Sequence, residues 1–262
     1  MKKTYFVDTN DASVELVLSF LTQQKGYVRM RGYDANDKET VYFDRRDAIS
    51  KGKANISIPL PLSPKKLCVE VITQLTLTPS VNVDFITKKA LKPVNLVASM
   101  QVCSFLAHAL DVVKNLNTLK DGIYTDKQKN HPIFVAETLK NRDTGKVLNT
   151  PARVSRKNGY VEISKGKMRG YTVAMRVFIL CHERSHYELN TSDEVDCDLN
   201  ALKWYLALGF SQKEALHACT RVFSGEQQIH HDRVAMVADY INNFNAEKGG
   251  YYLVSSEIVR SE

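Results

Sequence analysis

The sequence predicts an α+β protein: a β-rich front over residues 1–93, then a mainly helical back over 94–262 that carries a small sheet of its own. Three observations predict it. Short segments rich in β-branched and aromatic residues recur from Thr4 to Ile86, parted by polar turn-formers. From Asn95 the apolar residues change to steps of three and four. Beyond residue 170, helix-start signals recur at short intervals.

In the front, strands are expected at Thr4–Val7, Tyr27–Arg31, Thr40–Phe43, Ala54–Leu60, Leu67–Ile72 and Val81–Ile86. Asn55-Ile-Ser-Ile-Pro alternates polar and apolar residues as a half-buried strand does. Ala12–Leu21 is compatible with a short helix instead. The expectation is a sandwich-like domain for docking or substrate selection.

The back opens with a long helix from Asn95 to about Leu116. Leu96, Met100, Cys103, Ala107, Leu110 and Val113 recur at helical steps, and the other faces are also apolar enough to predict burial on most sides. A polar loop, Thr118–Asn130, precedes a strand at Pro132–Ala136. A hairpin follows, Arg153–Ser155 with Tyr160–Ile163, joined at Asn158-Gly159, a pair that tolerates the positive φ of a type I′ turn. Helices are then expected near 171–189, 192–208, 212–222 and 226–245. Ser211–Glu214 and Ser224–Gln227 match the capping-box pattern, and Gly209 sits where a helix end needs a left-handed residue.

Composition narrows the class. The 44% hydrophobic and 25% charged fractions suit a soluble globular protein, and no apolar run approaches the roughly 20 residues of a membrane span. Met1-Lys2-Lys3 is followed by Asp8, Asp11 and Glu15, a poor secretion signal, so a cytoplasmic protein is expected. Five cysteines without a Cys-x-x-Cys pair read as free thiols in a reducing compartment. The net charge of +7 is uneven, roughly +12 before residue 170 and roughly −5 after it. The front's lysines are scattered and lack the aromatic interleaving of a single-strand groove, which argues against nucleic acid. A protein partner through residues 1–93 remains the expectation for that region.

The chemistry is carried by His182-Glu183-Arg184-Ser185-His186, with Glu194 and Asp198 close behind. Histidines four apart share one helix face, close enough to hold one ion, and zinc suits such ligands. Met175, Phe178 and Ile179 lie on the same face, so the histidines continue an apolar stripe. Glu194 and Asp198 flank one edge of the next helix's apolar stripe, Val195, Leu199, Leu202 and Leu206, whereas Asp193 and Asp196 point to solvent. Glu194 has the longer reach and is read as the third ligand, with Asp198 accepting a hydrogen bond from a ligand histidine. Thr191–Glu194 is also a capping box, a competing use of Glu194 unless Ser192 alone caps the helix.

The arrangement His182-Glu183-x-x-His186 followed by Glu194-x-x-x-Asp198 resembles the gluzincin metallopeptidases, including ImmA/IrrE-like and phage-encoded proteins, over roughly residues 155–223. Cys197 stands where many of these carry alanine. The resemblance implies a zincin-like metallopeptidase domain. It implies Zn2+ held by His182, His186 and Glu194, with Glu183 as general base. It also implies a protein or peptide substrate lying along an edge strand, here placed at Tyr160–Ile163. For the oxyanion, Tyr160, His230 and His231 are the candidates, with Tyr171 and Tyr187 further ones. The competing expectation is a structural or assembly protein, for instance virion-associated, whose metal site is vestigial or purely structural.

Overall fold

Val14, Leu16, Leu18 and Phe20 are buried while Glu15, Val17 and Leu21 reach solvent to varying degrees. This period of two makes the segment left open between helix and strand a strand, β2 (Val14–Thr22). At 100° per residue the same apolar positions would scatter around a helix and bury no single face. The computed structural model describes residues 2–23, 25–74, 82–91, 98–222 and 228–247. The chain divides between Pro93 and Val94 into two compact units.

The first unit is all antiparallel. β1 (Lys2–Asp8), β6 (Lys66–Gln74), β3 (Gly26–Asp34) and β4 (Asp37–Ile49) form one sheet in the order β1-β6-β3-β4. A second sheet has the order β5-β2-β7, with β5 (Gly52–Leu60) and β7 (Asn82–Ala90) flanking β2. Buried side chains come from both: Val28, Met30, Phe43, Leu67 and Val69 from the first, Leu16, Leu18, Phe20 and Ile58 from the second. Gly32 is required on β3 because a Cβ there would lie 2.2 Å from Cε1 of buried Phe43.

The second unit begins with α1 (Met100–Asn115), capped by Ser99, whose Oγ accepts from the Val102 amide at 3.2 Å. Its buried face is Val102, Phe105, Leu106, Ala109, Val112 and Val113. Met100 is 89% exposed and Ala107 is also exposed, so α1 is amphipathic and not, as expected, buried on most sides. Of the expected stripe, Met100, Cys103, Ala107 and Leu110 mark its flank and only Val113 is buried, because two adjacent stripes of the sequence are apolar and mainly one is covered. Leu96 itself lies outside the described residues.

A four-stranded sheet follows in the order β10-β11-β9-β8, from β8 (Gly122–Tyr124), β9 (Ile133–Ala136), β10 (Ala152–Val154) and β11 (Val161–Ser164). β8 falls within the stretch expected as a loop. β11 runs parallel to β9 and antiparallel to β10, so it is interior and β10 forms the edge. The edge strand is therefore 152–154 rather than Tyr160–Ile163. The connecting turn also differs from expectation: Gly159 takes φ 68° but Asn158 does not take positive φ. The Ser155 amide donates to the Tyr160 carbonyl and the Gly159 amide to the Ser155 carbonyl, each at 2.8 Å. That closes a longer loop than a two-residue type I′ turn.

The short α2 (Lys165–Met168) leads into α3 (Val173–Glu188), and then come α4 (Glu194–Ala207), α5 (Gln212–Val222) and α6 (Gln228–Glu247). Thr172 caps α3, its Oγ1 accepting from the Met175 amide at 3.2 Å. Arg176 is fully buried, its Nε donating to the carbonyls of Met168 and Tyr171 at 3.0 Å each, which fixes the turn before α3. Arg184 lies over the rings of Phe105 (4.8 Å) and Tyr187 (4.6 Å), tying α3 to α1. Ser211 caps α5 through the Glu214 amide at 3.1 Å, and Gly209 adopts φ 89°. The Ser224–Gln227 box lies outside the described residues. All five cysteines are free, and among the described residues no helix is long and apolar enough to cross a membrane.

Leu18→Ala should lower the unfolding free energy of the chain by about 2–5 kcal/mol in chemical denaturation, the cost of a cavity in a packed core. A loss below about 0.5 kcal/mol would contradict the placement of β2 at the centre of its sheet.

Candidate metal centre

The site is built on the turn between α3 and α4. His182 and His186 lie one helical turn apart on α3, with their rings edge to face at 4.8 Å between centroids. The chain then reverses at Asn190, which takes φ 49°, a left-handed conformation that Asn tolerates. Asp193, not Ser192, caps α4: its carboxylate accepts from the amides of Val195 (2.8 Å) and Asp196 (3.1 Å). An aspartate expected to be merely solvated thus takes the capping task and frees Glu194 for another use. Across the helix pair, Asn200 Nδ2 donates to Ser185 Oγ at 3.0 Å and fixes the register of α3 on α4.

The three expected ligands come together. His182 Nε2 lies 3.1 Å from His186 Nε2 and 3.3 Å from Glu194 Oε2, and His186 Nε2 lies 3.6 Å from Glu194 Oε1. Among the described residues these form one group whose donor atoms all lie within 4.8 Å of one another. Each ring's other nitrogen is engaged. His182 Nδ1 faces Asp198 Oδ1 at 2.8 Å, and His186 Nδ1 faces the Thr191 carbonyl at 3.0 Å. A carbonyl and a carboxylate can only accept, so both Nδ1 atoms carry protons and each ring turns its Nε2 inward.

The surroundings set the charges. Burial opposes a charge on His182, but the hydrogen-bonded Asp198 and Glu194 outweigh it and raise its pKa to about 9. The bond to His182, against the opposing effect of burial and with help from Arg233, draws Glu194 down to about 2. Cys197 Sγ lies 3.1 Å from His186 Nδ1, away from the ligand nitrogens, and burial pushes its thiol up to about 12, so it stays protonated.

A cavity of about 510 Å³ opens on this group. Its walls include Ala152, Arg153 and Val154 of β10, Phe178 and Ile179 of α3, and Glu183, Glu194 and Arg233. Burial pushes the Glu183 carboxyl above its ordinary range, against the pull of both histidines and of the Val154 amide. Glu183 is thus placed at the same cavity as the three donor groups.

The oxyanion candidates whose side chains are described are not gathered there. Tyr160 lines a separate cavity with Arg142 and Glu162, its ring 5.8 Å from the Arg142 guanidinium. Tyr171 and Tyr187 do not line the site cavity, and the Tyr187 ring is taken up by Arg184. His231 is exposed, and the side chain of His230 lies outside the described residues.

Sequence reasoning missed Arg233, two residues beyond His231. It is buried, and its Nε and Nη2 reach Asp198 Oδ2 and Oδ1 at 2.8 and 3.1 Å, with Nη2 also 3.1 Å from Glu194 Oε2. A signal existed: Arg233 shares a stripe with Val237 and Ile241, both buried, at steps of four. No protein-family model, curated protein or solved structure matches this chain.

The linked shifts of His182 and Glu194 predict a pH profile for the metal-free protein. A raised histidine pKa stabilises below about 6.5 and loses that contribution as pH rises through about 9; a lowered carboxylate pKa stabilises above about 4.5 and loses it toward about 2. The thermal midpoint measured in chelator should therefore fall between pH 6.5 and 9. That fall should be shallower in His182→Gln; identical slopes would contradict the pairing.

Proposed function

We propose that this chain is a zinc-dependent metallopeptidase of the gluzincin kind, with His182, His186 and Glu194 as ligands and Glu183 as general base. One observation carries the reading. Zinc bonds of about 2.0–2.1 Å at tetrahedral angles require donor atoms about 3.3 Å apart. Here the two Nε2 atoms lie 3.1 Å apart, one Glu194 oxygen is 3.3 Å from His182 Nε2 and the other 3.6 Å from His186 Nε2, and one donor atom from each residue lies within 4.8 Å of the others. A cation bound there would displace the His182 proton and be met by two imidazole nitrogens and the negative charge of the half-exposed Glu194.

When bound, zinc supplies Lewis acidity, which polarises a carbonyl and makes water a nucleophile near neutral pH. The protein supplies the rest. Asp198 and the Thr191 carbonyl hold the two imidazoles in the tautomer that presents Nε2. Glu183 accepts the proton of the attacking water at its carboxylate and delivers it to the departing amine; burial raises its pKa, the direction that helps a carboxylate take up a proton before returning it. β10 is the edge strand and lines the cavity, the position at which an extended peptide adds as a further strand. The finer assignments belong to the same reading: residues 94–262 as a zincin-like domain, residues 1–93 as a sandwich-like unit that docks a partner or selects substrate, and a cytoplasmic setting.

A purely structural metal site would have no use for a half-buried carboxylate lining the same cavity as the ligands. Glu183 therefore separates this reading from an assembly protein with a vestigial site, and it supplies the test. Purified protein should carry about one zinc per chain by elemental analysis and should cleave a fluorogenic peptide library. Glu183→Gln should keep the metal and lose hydrolysis by at least about a hundredfold, the usual worth of a general base. Equal turnover by the two proteins would remove the enzyme.

Ligand and support are separable by metal content. His186→Ala and Glu194→Ala should each lose most of the bound zinc. Asp198→Ala should retain it with affinity reduced about 10–100-fold, as loss of a group that orients a ligand does. Full zinc occupancy at wild-type affinity in His186→Ala would show that the ligands are wrongly assigned.

A further inference from the structure

We infer that Arg233 of α6 is the positioning residue of the metal centre: its guanidinium holds Asp198 and Glu194 in the arrangement that makes His182 and Glu194 competent ligands. The inference rests on the zinc reading above. It extends that reading to α6, well beyond the motif, where no ligand was expected.

Three contacts support it. Nε to Asp198 Oδ2 (2.8 Å) and Nη2 to Asp198 Oδ1 (3.1 Å) make a side-on fork, a geometry that lysine cannot reproduce. Asp198 Oδ1 is also the atom that meets His182 Nδ1 at 2.8 Å, so the arginine fixes the carboxylate that in turn fixes the ring. Nη2 additionally touches Glu194 Oε2 at 3.1 Å. An anchored Oε2 leaves Oε1, on the His186 side, to turn toward a cation as a single-oxygen ligand. Asp198 is 1% exposed and Arg233 8%, so neither charge has bulk water as a substitute partner.

A competing effect has the opposite sign. A guanidinium beside Glu194 repels a divalent cation, so by charge alone its removal would tighten zinc binding. Against that, Arg233 makes charge-assisted contacts to two carboxylates of the site. Without it, Asp198 is left buried with His182 as its remaining partner in the group, and Glu194 loses its anchor. Ordering outweighs repulsion because the guanidinium's charge is largely neutralised by the carboxylates it grips, while the positions of both carboxylates depend on that grip.

Zinc affinity of the full-length chain, measured by competition with a chromophoric chelator, separates the two effects. Arg233→Gln should bind zinc 10–100-fold more weakly than wild type. Arg233→Lys keeps the charge without the fork and should fall between them. Equal or tighter binding in Arg233→Gln overturns the inference while leaving the ligand assignment standing. Absence of zinc binding by wild type overturns both. Where the Gln variant does not fold by circular dichroism, the Lys variant decides: undiminished affinity overturns, a loss supports. Coupling must also run in reverse: zinc should slow amide exchange in 228–247 of wild type. No slowing there would overturn the inference, because a helix that holds the ligands must be held by them.

Discussion

A carboxylate buried between helices is the constraint on which this site is built. Asp198 is 1% exposed, and a negative charge at that depth persists only with partners that compensate for the lost water. It has two, the Nδ1–H of His182 and the guanidinium of Arg233, which come from α3 and α6 while Asp198 itself sits on α4. Satisfying one charge therefore draws three helices to one point. The inward Nε2 of His182 follows from that hydrogen bond, since a ring whose Nδ1 is committed as a donor turns Nε2 to the cavity.

The short link between α3 and α4 is the second determinant. Seven residues separate His186 from Glu194, and the reversal needs the left-handed Asn190 together with a cap that is not Glu194. Asp193 fills that role with two amide hydrogen bonds. Its carboxylate and that of Glu194 are adjacent in sequence yet serve different ends: one neutralises the start of a helix, the other reaches back toward the histidines. The Thr191 carbonyl, exposed by the same turn, orients His186. One loop thus arranges a cap, a ligand and a tautomer.

Much of this was legible in the sequence for a definable reason. His182, His186, Glu194 and Asp198 lie within seventeen residues, and helical spacing is local physics: a step of four puts side chains on one face whatever the rest of the chain does. The helix ends at Gly209 and Ser211 were legible on the same grounds. Where two local patterns competed, the sequence was less decisive. Val14–Thr22 is apolar enough for helix or strand, and only the presence of β5 and β7 on either side selected the extended form. Met100 and Ala107 look as apolar as Val102 and Phe105, yet only the second stripe of α1 is covered.

What the chain determined alone is the set of groups able to grip a cation and the helical spacing that brings two of them together, because those depend on contacts within a few residues. What only the tertiary structure decided is which strand forms the edge beside the cavity, that Tyr160 and His231 stand apart from it, and that Arg233 closes on Asp198 and Glu194. Each of those turns on the packing of segments far apart in the chain. No local period records such a meeting, since its energy comes from burying charges and side chains that the sequence places far from one another.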